Sequence, residues 1–270
     1  MNEEILINFS PMETRVAVIE NGMLQEVHVE RNDHRGIVGN IYLGKIVRVL
    51  PGMQAAFVEI GLERTGFIHV ADIESQDHRS ETGEAPIAQL VREGQSILVQ
   101  VLKDPIGTKG ARLTTQISIP SRYLVYMPGT GHVGVSQRIE DEAERLRLKT
   151  CLEDYLHKAP EGDLAGQKYA AEGIIIRTLA EGVAAPGLQQ DVDFLRRLWR
   201  QISQQIAAAK APQIIYQDLS LALRTLRDIA HPQVEKIRID SNETYQKVSD
   251  FVHQLVPDMA AKLQHYPGGR

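Results

Sequence analysis

Five short strand-like runs occupy residues 37–118, and they constrain the fold more than any other feature of the chain. Turn signals separate the runs, and a longer polar stretch, ESQDHRSETGEAP, follows the third of them. Short strands at this spacing with one long insertion are typical of a closed barrel of the OB type. We expect the insertion to be mobile. The five runs are IVGNIYLGKIVRVL, MQAAFVEIG, TGFIHV, SILVQVLKD and ARLTTQIS.

The segments on either side of the barrel follow other patterns. Before it, Asn21-Gly22 between RVAVIE and MLQEVHVE predicts a β-hairpin, with the strand-like ILINF ahead of it. After it, apolar residues recur with a helical period between short strands, YLVYM, GIIIRT and VEKIRID. The predicted helices cover 138–156, a segment capped by Asp191, 217–230, and a segment capped by Ser241. On the first helix we expect these residues to face inward: Ile139, Ala143, Leu146, Leu152 and Leu156.

These patterns predict an α+β multidomain fold. The last segment has only one strand of its own, so we expect the N-terminal strands to complete its sheet. The predicted division is N-terminal strands at 1–35, the barrel at 36–118, an α/β domain at 119–211, and the remainder of the first subdomain at 212–270.

Composition narrows the class of protein. A single cysteine, Cys151, excludes an internal disulfide and a multi-cysteine zinc site within this chain, and makes the cytoplasm the expected compartment. No apolar run approaches the length of a membrane span. The net charge of −5 argues against coating nucleic acid by bulk attraction, so such binding would need a few placed cations and aromatic rings.

Two phenylalanines in the barrel are candidates for such rings. Side chains alternate along a strand, and the small apolar neighbours of Phe57 and Phe67 suit a barrel interior. Both rings are therefore predicted to face outward, where bases could stack on them. On spacing alone, the alternative that both are core side chains stays open.

The junction KDPIGTKGAR adds cations to the same barrel. Lys103, Lys109 and Arg112 stand against one acid, Asp104, which gives a local net charge of +2. We expect its two glycines to let the backbone approach a phosphate. Taken alone, the stretch also fits an ordinary solvated loop.

Two further motifs suggest phosphate binding. GTGHVG at 129–134 matches the dinucleotide fingerprint, but the second strand ends in Arg177-Thr178, where an acid should hold the ribose. Arg177 and Thr178 themselves could grip a terminal phosphate, through a bidentate guanidinium and a hydroxyl. A structural ion pair between Arg177 and Glu181 is the alternative. The histidines and carboxylates form no pattern that predicts a catalytic or metal site.

At this point the chain resembles the bacterial ribonuclease E/G family. The resemblance rests on MNEEILINFSPMETRVAVIENGMLQEVHVER, RGIVGNIYLGKIVRVLPGMQAAFVEIG, KDPIGTKGARLTTQISIPSRYLVYMPG, GVSQRIE and IIIRTLAEG, in the family's order along the whole chain. It implies an S1-type OB domain, an α/β 5′-sensor domain and an inactive, RNase H-like subdomain. The implied function is a cytoplasmic endoribonuclease that processes ribosomal RNA precursors, degrades mRNA and prefers single-stranded RNA with a 5′-monophosphate.

The resemblance also implies roles for individual residues. Phe57, Phe67 and Lys109 match RNA contacts, and Arg177 and Thr178 match the grip on the 5′ phosphate. Backbone near Ser121 and Val125 is expected to help, although Ser121 stands where one branch of the family has glycine.

The family's magnesium-binding aspartates and its zinc-linked cysteine pair are expected beyond residue 270. This chain would then be the RNA-recruiting half, without hydrolysis, of an enzyme that is homodimeric at full length. The alternatives are a stand-alone RNA-binding module and, from GTGHVG, a dinucleotide-dependent oxidoreductase.

Overall fold

A computed structural model describes residues 3–74, 85–157, 172–230, 233–255 and 257–267. The chain forms two compact units, one of residues 1–35 with 219–270 and one of residues 36–218. The predicted mobile insertion at 74–86 lies almost entirely outside the described residues. Among the described helices, none is long and apolar enough to cross a membrane.

The strands are numbered along the chain as β1 (Glu3–Phe9), β2 (Glu13–Glu20), β3 (Met23–Arg31), β4 (Ile41–Leu50), β5 (Ala55–Glu59), β6 (Gly66–His69), β7 (Ser96–Lys103), β8 (Arg112–Thr114), β9 (Ile119–Pro120), β10 (Leu124–Pro128), β11 (Val133–Val135), β12 (Glu172–Ile176), β13 (Gln213–Tyr216), β14 (Val234–Ile239) and β15 (Leu263–His265). The α-helices are α1 (Ile87–Leu90), α2 (Glu142–Leu156), α3 (Ala185–Ala208), α4 (Leu221–Asp228) and α5 (Asn242–Leu255). Short 3₁₀ segments cover Pro51–Met53, Val70–Asp72, Thr178–Ala180 and Pro257–Lys262.

The predicted five-stranded barrel is confirmed. Its strands follow the order β4-β5-β6-β8-β7, and β4 also pairs with β7, which closes the sheet. Strands β6 and β8 are parallel and the other neighbours are antiparallel. Fully buried Ala56, Val58, Ile68, Val99 and Leu113 fill its interior. Strand β13 was not predicted from the sequence, and it adds to the barrel beside β4. The helix predicted at 217–230 is α4, which begins at Leu221.

The second half of the same unit is a four-stranded sheet, β11-β12-β10-β9, with α2 and α3. Leu124, Tyr126, Ile174 and Ile176 from the sheet share one core with Leu188, Leu195 and Ile202 of α3. Strand β11 is formed by the end of GTGHVG and runs parallel to β12. The strand ahead of the motif, β10, is antiparallel to β12, whereas the dinucleotide fingerprint requires that strand to be parallel to the next one. The motif therefore does not lie in the turn that a dinucleotide fold uses for the pyrophosphate.

The prediction for α2 is wrong at two positions. Ala143 is exposed and Leu146 is 67% exposed, whereas Leu148 and Leu152, four residues apart, are the buried pair of the helix. The helix begins after Asp141, whose side chain accepts a hydrogen bond from Ala143 N–H at 2.9 Å.

The other unit is a mixed sheet in the order β15-β14-β1-β2-β3. As predicted, the N-terminal strands complete it, since β1 is parallel to β14 and antiparallel to β2. Helices α4 and α5 pack against this sheet and each other. Ser241 caps the start of α5 by accepting from Thr244 N–H at 3.3 Å.

Candidate nucleic-acid interface

A continuous row of side chains crosses five strands on the outside of the barrel. The strand register places Arg48 opposite Phe57 and Phe57 opposite Phe67. Phe67 is in turn paired with Arg112, and Arg112 with Lys103. The chain neighbours of the two rings point inward and are buried, so both rings lie on the outer face, half-exposed.

The two rings contact each other edge to face. Their centroids are 6.1 Å apart and their planes are inclined at 66°. In this geometry each ring supports the other, and part of each ring stays exposed to solvent. The row therefore offers aromatic surface between two cationic ends.

Arg112 is fixed by an acid from the neighbouring turn. Its Nε donates to Asp72 Oδ2 at 3.0 Å and its Nη2 to Asp72 Oδ1 at 3.3 Å. The ion pair holds the guanidinium beside Phe67. Because the Asp72 carboxylate offsets the charge of Arg112, this part of the row has less net positive charge. Lys103, at the end of β7, is exposed.

Lys109 lies in the loop between β7 and β8 and is also exposed. Its backbone exchanges hydrogen bonds with Ile106, and Arg64 donates to the carbonyl of Gly107. The one acid of the patch, Asp104, accepts from Ile37 N–H at 2.6 Å. A Cβ on Gly110 would meet Thr65 O at 1.8 Å, so this glycine serves the packing of the loop against its own barrel.

Arg48 was not found from the sequence. It is exposed on β4, where an irregularity of register separates Ile46 from Arg48. Simple alternation along the strand fails at such a bulge, because two consecutive residues, Val47 and Arg48, are both exposed. Only the pairing with Phe57 reveals its place in the row.

The second candidate site lies at the end of β12. Arg177 Nη1 donates to the carbonyl oxygen of Ser121 at 2.5 Å and to that of Arg122 at 3.3 Å. The backbone N–H of Arg177 donates to Tyr123 O at 2.8 Å. Three successive carbonyl oxygens thus hold this arginine, which is half-buried.

Thr178 is exposed beside Arg177 and begins a 3₁₀ turn. Its Oγ1 lies 3.1 Å from the hydroxyl oxygen of Ser136, which follows β11. Ser136 did not emerge from the sequence, because β11 was not predicted. The arrangement places two hydroxyls next to an anchored guanidinium.

Ser121 and Val125 do not line the second site in the same way. Ser121 is fully buried, its N–H donates to Leu124 O at 2.8 Å, and its hydroxyl donates to Asp191 Oδ2 at 2.5 Å. It therefore lies beneath the site and touches it through the carbonyl that binds Arg177. Val125 is half-buried in β10, between Pro120 and Ile175 in the register.

Asp191 is not a helix cap, contrary to the sequence analysis. Helix α3 begins at Ala185, with a proline in its first turn, and Asp191 lies inside the helix with 2% exposure. Its Oδ2 also accepts from Tyr123 N–H at 2.8 Å and Leu124 N–H at 3.0 Å. Burial raises the pKa of this carboxyl to about 6, and the hydrogen bonds only partly oppose that shift.

Helix α2 holds the turn that follows Thr178. Glu144 Oε1 accepts from Gly182 N–H at 2.8 Å, and Arg147 Nη2 donates to Val183 O at 2.9 Å. The hydrogen bond from Arg147, and after it the one from Gly182, lowers the pKa of Glu144 to about 2. The turn at residues 121–124 is thus bonded to α3 through Asp191, and the turn after Thr178 is bonded to α2.

Within the ranges that the structure describes, no group of three or more His, Cys, Asp and Glu side chains is arranged to hold a metal ion. The two candidate sites offer stacking surfaces, cations and hydroxyls. Such groups bind polyanions and phosphates.

Comparison with known proteins agrees with this chemistry. The model of the Ribonuclease E/G family matches residues 118–270, and that of the S1 RNA binding domain matches residues 36–113. Ribonuclease G of Salmonella typhimurium is 50% identical over 277 residues, covering 99% of this chain and 54% of the relative. Ribonuclease G of Escherichia coli K12 is 48% identical with the same coverage, and ribonuclease E of that strain is 34% identical over 98% of this chain and 24% of the relative. The chain thus spans about half the length of its ribonuclease G relatives.

Proposed function

The chain belongs to the ribonuclease E/G family, and on that premise we propose that it is the RNA-binding and 5′-monophosphate-sensing part of a cytoplasmic endoribonuclease. Single-stranded RNA is its ligand. The parent enzyme processes ribosomal RNA precursors and degrades mRNA. The observation that carries the proposal is the anchored Arg177, with Thr178 and Ser136 beside it.

The barrel row is the surface for the RNA strand. Each base stacked on Phe57 or Phe67 would contribute roughly 1–3 kcal/mol, without preference for one base over another. Arg48 and Lys103 lie at the two ends of the row, and Lys109 lies in the loop beside it. Cations at these places suit a phosphodiester backbone that runs across the rings.

The pocket at the end of β12 is the site for the 5′ phosphate. Arg177 supplies charge-assisted hydrogen bonds, and Thr178 adds a hydroxyl donor. The carbonyl oxygen of Ser121 orients Arg177. Val125 contributes as part of strand β10, which pairs with β12. A 5′-hydroxyl end carries no negative charge that Arg177 could bind. This difference is the basis on which the site discriminates a 5′-monophosphate from a 5′-hydroxyl.

We assign the sheet of β9–β12 with α2 and α3 to the 5′-sensor domain. The unit of residues 1–35 and 219–270 is assigned to the architectural, RNase H-like subdomain. Hydrolysis, with its magnesium ions, and the zinc link of a homodimer are assigned to the part of the relatives that this chain does not cover.

Binding of two RNAs tests the proposal. One single-stranded sequence is prepared with a 5′-monophosphate and with a 5′-hydroxyl, and the affinity of the 270-residue chain for each is measured. Tighter binding of the monophosphate form is expected, and Arg177→Ala should bring the two affinities together. Equal affinities in the unaltered chain would refute 5′ sensing, and cleavage of either RNA in magnesium by pure chain would refute the assignment of hydrolysis elsewhere.

A stand-alone RNA-binding module is the second candidate. The same barrel row supports it, since that surface needs no catalytic partner. RNA binding that ignores the state of the 5′ end would favour this module.

A further inference from the structure

One oxygen of Asp191 organises the turn between β9 and β10. Its Oδ2 accepts from Ser121 Oγ at 2.5 Å, Tyr123 N–H at 2.8 Å and Leu124 N–H at 3.0 Å. The side chain is 2% exposed, so water does not compete for these bonds. Three donors that converge on one carboxylate oxygen are fixed relative to α3.

The opposite side of the same turn binds Arg177. The carbonyl oxygens of Ser121 and Arg122 accept from its guanidinium, at 2.5 and 3.3 Å, and Tyr123 O accepts from its N–H at 2.8 Å. The turn therefore directs its N–H groups and a hydroxyl toward Asp191, and its carbonyls toward Arg177. A shift of the turn would move the guanidinium with it.

From this geometry we infer that Asp191 is a positioning residue for the 5′-phosphate pocket, acting through residues 121–124 to fix the guanidinium of Arg177. The inference rests on the proposed function. Asp191 itself does not touch the phosphate, because it is buried beneath the turn. Its negative charge favours the form of the turn in which the Ser121 hydroxyl and the N–H groups of Tyr123 and Leu124 point inward.

The chemistry of the site distinguishes this role from that of an ordinary core residue. Burial raises the pKa of the Asp191 carboxyl to about 6, so its ionised form is held at a cost to the folded state. A neutral side chain would fit the same interior at lower cost. Charges held in this way are typical of functional sites, where fixed geometry outweighs stability.

The test is a mutant cycle between positions 191 and 177. The two RNAs described above are bound to the unaltered chain, to Asp191→Asn, to Arg177→Ala and to the double variant. The measured quantity is the ratio of the two dissociation constants, 5′-hydroxyl over 5′-monophosphate. Asp193→Asn is the matched control, because Asp193 lies on the same helix but accepts from Tyr155 OH.

Asp191→Asn is expected to lower the ratio by about threefold or more while affinity for the 5′-hydroxyl RNA stays within about twofold. In the Arg177→Ala background it should have no further effect on the ratio, since the two residues act through one contact. The control should keep the ratio of the unaltered chain.

Other outcomes distinguish the positioning role of Asp191 from the proposed 5′ sensing. If Arg177→Ala abolishes the ratio but Asp191→Asn leaves it unchanged, the positioning role is wrong and the proposed function stands. Equal weakening of both RNAs by Asp191→Asn would mean a purely structural role. A ratio that Arg177→Ala does not change would overturn 5′ sensing itself. If Asp191→Asn does not fold, Asp191→Glu, which displaces the oxygens by one methylene, is judged by the same ratio.

Discussion

Phe57 lies directly opposite Phe67 across two antiparallel strands, with ring centroids 6.1 Å apart and planes inclined at 66°. Each ring supports the other on the outer face of the barrel. Replacing both by alanine should therefore weaken binding of single-stranded RNA by roughly 1–3 kcal/mol per stacked base. The loss of their mutual contact should cost only about 0.5–1.5 kcal/mol of stability.

Phe57→Leu with Phe67→Leu is the matched control, since it retains apolar area but removes the flat faces. Its affinity for RNA should fall nearly as far as that of the alanine pair, as measured by fluorescence anisotropy. A collapsed barrel in the alanine pair, seen by circular dichroism, would instead identify the rings as core.

Arg48 should contribute to RNA binding through a phosphate. Arg48→Ala is expected to weaken binding uniformly across sequences and to reduce the salt slope of log K against log [salt] by about 0.7, the value for one contact to a single strand. Titrations at several salt concentrations measure this slope. Lys236→Ala, on β14 of the other compact unit, is the comparison variant and should leave the slope unchanged; an equal effect would mean nonspecific attraction.

Stability should depend on pH through Asp191. Its folded-state pKa is raised from 3.8 to about 6, so between these values the native state binds more protons than the unfolded state. The free energy of unfolding therefore decreases as pH rises through this window and is constant above it. The contribution is about 3 kcal/mol, because each unit of pKa shift corresponds to about 1.4 kcal/mol.

Asp191→Asn removes this titration. Urea denaturation from about pH 4 to pH 7.5 should show the difference in stability between the unaltered chain and the variant moving in favour of the variant as pH rises. Parallel stability curves for the two proteins would contradict the raised pKa.

Glu144 should affect the proposed phosphate site through the turn after Thr178. Glu144→Gln removes the charged acceptor of Gly182 N–H, which loosens that turn. We expect a roughly twofold to fivefold loss of affinity for 5′-monophosphorylated RNA, the scale of one weak charged contact. Glu142→Gln is the control on the same helix, since its side chain is 91% exposed. An identical response in both variants would mean a general charge effect.

Much of the barrel was predictable because its strands are short and their inward residues are small and apolar. The small apolar neighbours Ala56 and Val58 favoured an outward position for Phe57, although spacing alone left a core position open. The position of Arg48 could not be predicted in this way, because the bulge between Ile46 and Arg48 breaks the alternation of inward and outward side chains along β4. Strand β11 was hidden because its three residues, Val133–Val135, are too few to establish a period.

The misinterpretation of Asp191 has a physical cause. An aspartate before an apolar helical run is the usual N-cap signal, and the Pro186-Gly187 pair ahead of it resembles a loop. Proline is tolerated in the first turn of a helix, so α3 begins earlier. The partner that defines Asp191 is Ser121, 70 positions away, and no local pattern encodes such a contact.

The sheet that joins β1 to β14 has a consequence for biosynthesis. Phe9 N–H donates to Asp240 Oδ1 across 231 positions, so β1 emerges from the ribosome long before its parallel neighbour exists. At about 5–20 residues per second, this delay is on the order of 10 s or more. An unpaired strand edge is a template for aggregation. Until β14 is synthesised, the edge of β1 that faces it stays unpaired, whereas residues 36–218 have every strand of their own sheets once β13 has been made.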